Sequence, residues 1–177
     1  FHVLNWVWAT HETAQAYQQL LQPLQPPLMV VLDGGTGAYS AICQLWPQTT
    51  IQRCLVHAQR VVRRHVTSRP RTEAGKAIYV LACDLTHVDS LDKAAQWTAK
   101  LQQFHDVYRR WMDEKTFNIY TGKREFTHIR VRRAFNSLSH LSRQQWLFAF
   151  LQPPGPPANP TYTWAATTNH LEGAINA

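Results

Sequence analysis

The sequence predicts an α/β fold whose core is interrupted by an all-helical block, and three observations carry that reading. Over residues 2–57, short apolar, β-prone runs alternate with helical spacing, the pattern of βαβ units with a partly parallel sheet. From 59 to 151 helical periodicity continues throughout. A proline-rich stretch, Pro153–Pro160, then separates that block from the last segment. The expected organisation is a core over 1–58, a helical insertion over 59–152, and a linker with a returning helix over 153–177.

Residues His2–Ala9 are apolar and β-prone, and Thr10-His11-Glu12-Thr13 offers a helix start. Ala14, Tyr17, Leu20 and Leu21 then share one helical face. Pro26 and Pro27 break the chain before an apolar run, Leu28–Leu32, which ends in Asp33 and reads as a buried strand. Three glycines (Gly34, Gly35, Gly37) follow, and Ala38, Ala41, Ile42 and Leu45 mark a second helix, which Pro47 closes. Thr50–His57 reads as the next strand.

Beyond it, Val61, Val62 and Val66 lie among arginines, and Arg69-Pro70-Arg71-Thr72 makes a break and a cap. Glu73–Leu85 and Leu91–Lys115 are predicted helices, the second with Ala94, Trp97, Leu101, Phe104, Tyr108 and Trp111 on one stripe. An aromatic stripe at that spacing reads as core rather than as a platform for bases. Thr127–Leu151 is the last helix of the block, with Arg130, Arg132 and Arg133 near its start, and Thr167–Asn176 reads as a helix start after the linker.

Eighteen Lys plus Arg against eleven Asp plus Glu give a net charge of +7, so an anionic partner is plausible, although a solvated basic surface has the same composition. The excess is mostly arginine, which suits planar, bidentate phosphate contacts. There is no apolar run of transmembrane length and no signal peptide, and three cysteines at unpatterned spacing suit a reducing compartment. The expectation from these features is a cytoplasmic protein. The chain begins at Phe1 and stops inside a helical pattern at Ala177, as a piece of something longer would.

Two carboxylates stand out by position. Asp33 ends a strand, where open α/β sheets place their chemistry, and Glu172 falls in a first helical turn. If the last helix packs back on the sheet, the pair can share Mg²⁺ or Mn²⁺, the hard cations that drive attack on phosphodiesters. Each also has a purely structural reading: Asp33 as a turn residue, Glu172 as the partner of Asn169 in a capping box. Arg53, Arg60, Arg63, Arg64, Arg69 and Arg71 form a run without an acid, either a solvated face or a surface for DNA phosphates.

Asp33-Gly-Gly-x-Gly, the spacing to Trp46-Pro47, then Gln52-Arg53-Cys54-Leu55-Val56-His57 and finally Thr168-Asn169-x-x-Glu172 together resemble the Mutator-like transposases and their bacterial insertion-sequence relatives. The resemblance spans nearly the whole chain in the right order. It implies a ribonuclease-H-like core interrupted by the helical insertion, with an Asp-Asp-Glu triad in which Asp33 is the second Asp and Glu172 the Glu. It also implies Mg²⁺ (or Mn²⁺), double-stranded DNA (transposon ends and target) as partner, and a homo-oligomer at full length. No residue matches the first Asp, so an N-terminally truncated, inactive fragment is expected.

Cys54-x-x-His57 matches the family's motif after the second Asp, which places His57 by the catalytic carboxylates. An ordinary strand-end histidine and a zinc site completed by His65 and Cys83 are the other readings. Two functional alternatives stand beside the transposase: a non-catalytic DNA-binding or assembly remnant, and a ribonuclease-H-like nuclease.

Overall fold

The computed structural model describes residues 4–156 and 163–168, and the chain forms two compact units, Phe1–Cys54 with Trp146–Ala177, and Leu55–Gln145. The first unit is built on a βαβ element. Strand β1 (Met29–Leu32) pairs in parallel with β2 (Thr50–Arg53), Met29 opposite Thr50 and Leu32 opposite Arg53. Helix α1 (Ala14–Leu21) precedes them, its start capped by Thr13, whose hydroxyl accepts the Ala16 N–H at 3.2 Å. Helix α2 (Thr36–Leu45) connects the strands and ends at Trp46, before Pro47. Leu32, Ala38, Ile42 and Trp46 form the buried core, with Tyr17, Leu21, Val30 and Ile51 against it.

Residues 4–9, expected as a strand, have no regular structure, and Leu4, Trp6 and Trp8 are exposed. Their alternation is strand-like, but a strand exists only through a neighbour that takes its backbone hydrogen bonds, and among the described residues none does. Asn5 holds the segment by donating to the Leu20 carbonyl at 2.7 Å.

The segment from Trp146 to Leu151, expected as the end of a helix, instead lies along β2 and finishes in a short 3₁₀ turn, Ala149–Leu151. The helix stops at Arg143, and Gln145 turns the chain with φ +59°. Gln52 anchors the returning segment. Although fully buried, its amide donates to the carbonyls of Leu147 (2.8 Å) and Arg53 (2.7 Å) and accepts the Phe150 N–H at 3.1 Å. The Arg53 N–H donates to the Trp146 carbonyl at 2.6 Å. A buried amide is tolerable because its bonds are made.

The second unit begins at α3 (Leu55–Val66), so the second strand ends at Arg53, four residues before the expected His57. Helix α4 (Glu73–Asp84) is capped by Thr72 and α5 (Leu91–Met112) by Ser90. A β-hairpin follows, β3 (Lys115–Asn118) antiparallel to β4 (Lys123–Phe126), and then α6 (Ile129–Arg143). The expectation of an all-helical block is therefore corrected: strands of four residues carrying Lys, Arg and Glu lack the apolar alternation that announces a strand. Leu55, Ala58 and Val62, with Ile78, Leu81, Trp97, Leu101, Phe104, Ala134 and Leu138, are buried. The stripe on α5 is core through Phe104, and the Trp97 indole donates to the Leu81 carbonyl at 2.8 Å.

Candidate functional site

Asp33 stands at the C-terminal end of β1, exposed, with one carboxylate oxygen accepting the Gly35 N–H at 3.0 Å. The glycines after it serve different ends. Gly34 has φ +107°, and the Arg53 guanidinium fills the place where a side chain would stand. At Gly37 a Cβ would meet the Glu12 carbonyl at 2.5 Å, so the glycine lets the start of α2 approach the segment before α1.

That approach brings a second carboxylate toward Asp33. A Cβ at Gly35 would lie 3.6 Å from an Asp33 oxygen and 3.9 Å from a Glu12 oxygen, so both acids border the same glycine. Tyr17 responds to them: burial first, then the charge and hydrogen bonding of Glu12, and last the charge of Asp33 raise its hydroxyl pKa above the ordinary value. In the sequence Glu12 reads only as part of a helix start. The signal available was Gly37, whose missing side chain marks a close backbone approach.

Cys54 follows β2 directly, donates its N–H to the Leu32 carbonyl at 2.8 Å and is fully buried. Its sulfur accepts the backbone N–H and the hydroxyl of Thr168, each at 3.4 Å. Thus the first residue of the Thr168–Glu172 motif rests on the end of the strand beside the one that carries Asp33. Glu172 and its cap partner Asn169 lie outside the described residues, as does the rest of the predicted last helix beyond Thr168.

His57 is in the first turn of α3 rather than at a strand end, half-buried, with a ring nitrogen 3.5 Å from the Arg60 guanidinium. In the second unit Cys83 accepts from the Gln59 amide at 3.3 Å. Among the described residues no three His, Cys, Asp or Glu converge on one point.

The six arginines are divided between the two units. Arg53 belongs to the first unit, packed on Gly34. Arg60, Arg63 and Arg64 are exposed on α3. Arg69 and Arg71 line a groove of about 740 Å³ together with Arg130, His65, His128 and Trp111. No acid borders it. The His65 pKa is lowered, by burial first and then by the charges of Arg133 and Arg64, as a cation-rich wall dictates. His128 stacks on Trp111 with ring centroids 3.4 Å apart. Arg130, near the start of α6, was visible in the sequence; its meeting with Arg69 and Arg71 depends on tertiary packing.

No helix among the described residues is long and apolar enough to cross a membrane. The family described as "Transposase, Mutator family" matches residues 2–144. The chain is also 26% identical over 121 residues to the transposase for insertion sequence element IS1201 of Lactobacillus helveticus, a match covering 66% of this chain and 30% of that relative. No solved structure matches.

Proposed function

Because this chain belongs to the Mutator family of transposases, we propose that it is part of a ribonuclease-H-like catalytic core, with residues 55–145 as the insertion, for metal-dependent DNA cleavage and strand transfer. Asp33 and Glu172 are the metal ligands in this reading. The observation that supports it best is the bond between Cys54 and Thr168. It ties the second motif to the strand end beside Asp33, and four residues of chain, at most about 14 Å, connect Thr168 to Glu172.

The donor set suits a hard divalent cation: Asp33 is exposed, and one of its carboxylate oxygens accepts no hydrogen bond among the described residues. When bound, Mg²⁺ or Mn²⁺ would activate the attacking water or 3′-hydroxyl and stabilise the leaving oxygen. Glu12 adds negative charge beside Asp33, and Tyr17, kept protonated, donates to Glu12 and fixes its orientation. Arg69, Arg71 and Arg130 seat DNA phosphates in the groove, and Arg60, Arg63 and Arg64 extend the cationic surface along α3. His57 acts beside the phosphates, and the full-length protein works as a homo-oligomer.

The test is Glu172→Gln in the full-length transposase. Gln keeps the capping ability of that position but removes the charge a divalent ion needs. Stability should change by less than about 1 kcal/mol, while strand transfer should fall at least about a thousandfold, the scale of roughly 4 kcal/mol of transition-state stabilisation. Strand transfer near the parental rate in a well-folded variant would remove Glu172 from the site.

A further inference from the structure

The β3–β4 hairpin carries a pattern that neither the core nor the carboxylate site uses. In its register Lys115 faces Phe126 and Phe117 faces Arg124, and because side chains alternate across a strand these four share one face. Thr116, Asn118, Lys123 and Glu125 share the other. The loop between the strands, Ile119–Gly122, is held from within. The Asn118 side chain accepts the N–H groups of Tyr120 (2.9 Å) and Thr121 (3.3 Å), and Gly122 donates to the Asn118 carbonyl at 2.9 Å with φ +66°. Glu125, the single acid of the ribbon, accepts from Asn118 (3.0 Å) and Thr121 (2.8 Å).

The polar groups thus fix the turn while the large apolar groups point to solvent: Tyr120 is 93% exposed, Ile119 76% and Phe117 59%. Phe126 does the packing instead, under the cations of Lys115 (4.8 Å from the ring centre) and Arg132 (4.0 Å). Arg124 shares the face of Phe117, and Lys123 follows directly on the loop that carries Tyr120. The ribbon also continues into the basic groove, because Thr127 and His128 follow β4 directly and line it. Cations for phosphates interleaved with rings for base faces are the two components of single-strand recognition.

We propose that the β3–β4 hairpin is a nucleic-acid-binding ribbon, in which Lys123 and Arg124 hold phosphates and Tyr120 and Phe117 stack on unpaired or unstacked DNA bases beside the groove; this rests on the DNA-directed function proposed above. Wedging of exposed apolar side chains between bases is how proteins open or kink a duplex, and strand transfer exposes such bases.

The experiment is fluorescence anisotropy of the full-length protein with labelled oligothymidylate and with a labelled duplex, over a salt series. Tyr120→Ala, alone and with Phe117→Ala, removes exposed rings and should leave thermal unfolding unchanged. The double variant should lose about tenfold or more in single-strand affinity, the scale for removing stacking partners, at an unchanged salt slope. Tyr120→Trp should retain the affinity. Lys123→Gln with Arg124→Gln should instead flatten the slope by about 1.4, at about 0.7 per phosphate contact on a single strand.

Parental affinity in the aromatic double variant, while the parent binds, would overturn the ribbon and leave the DNA reading standing. A parent that binds neither probe at low salt would overturn both. Altered sedimentation with unaltered DNA affinity would assign the tip to a second copy of the chain, and that too overturns the proposal.

Discussion

Replacing Gln52 with Leu should cost about 1–4 kcal/mol, and the figure follows from its three hydrogen bonds. The Leu147 carbonyl is buried and loses its donor, worth about 1–3 kcal/mol for an orphaned group. The Arg53 carbonyl and the Phe150 N–H are only partly buried, so water recovers much of their loss, and about 0.5–1 kcal/mol each remains. Leu returns roughly 1 kcal/mol by placing apolar area where the amide was. Urea unfolding followed by tryptophan emission, which reports on Trp146 beside Tyr39 at 5.1 Å, measures the difference. Gln102→Leu serves as the control, since among the described residues the Gln102 side chain bonds to Asp106 alone, on the exposed side of α5, and should stay within about 0.5 kcal/mol. The Phe150 amide should also exchange faster in the Gln52 variant. A loss below about 1 kcal/mol, with Phe150 still protected, would refute the claim that Gln52 anchors the returning segment.

Two further predictions concern the basic unit. Arg69→Gln with Arg71→Gln should reduce the salt dependence of duplex binding by about two phosphate contacts, a slope change of about 1.8, and an unchanged slope in an anisotropy titration would make the groove a solvated face. His65, with its pKa lowered, is neutral in both folded and unfolded chains above about pH 6.5. As the pH falls below that value the unfolded chain binds a proton that the folded chain does not, so stability declines until the folded pKa is passed. His65→Gln should therefore lose less stability than the parent between pH 7.5 and 5 in thermal unfolding, and parallel profiles would contradict the assignment.

The sequence carried the βαβ element and most helices because their burial is periodic along the chain. Leu28–Leu32 ending at Asp33 reads as a strand without any partner in view, and Thr72 and Ser90 announce helix starts through the hydroxyls that cap them. What could not be read depends on contacts remote in sequence. Gln52 meets Leu147 across 95 positions, so nothing local in the sequence marks Trp146–Leu151 as leaving the helix. Glu12 and Asp33 are neighbours only because Gly37 lets α2 come close. The hairpin was hidden for the opposite reason: its strands are short and charged, and the Thr121-Gly122 turn was its one local sign. The arginine run looked continuous in sequence, yet Arg53 and Arg69 belong to different units.

The central claim is that Asp33 and Glu172 hold one divalent ion although 138 residues lie between them. Crystals of the full-length protein grown with Mn²⁺ test it directly through the anomalous signal of the metal. The account predicts a peak coordinated by carboxylate oxygens of both residues and lost on Asp33→Asn. Asp33 and Glu172 on opposite faces of the sheet, or a peak that persists unchanged in Asp33→Asn, would contradict it.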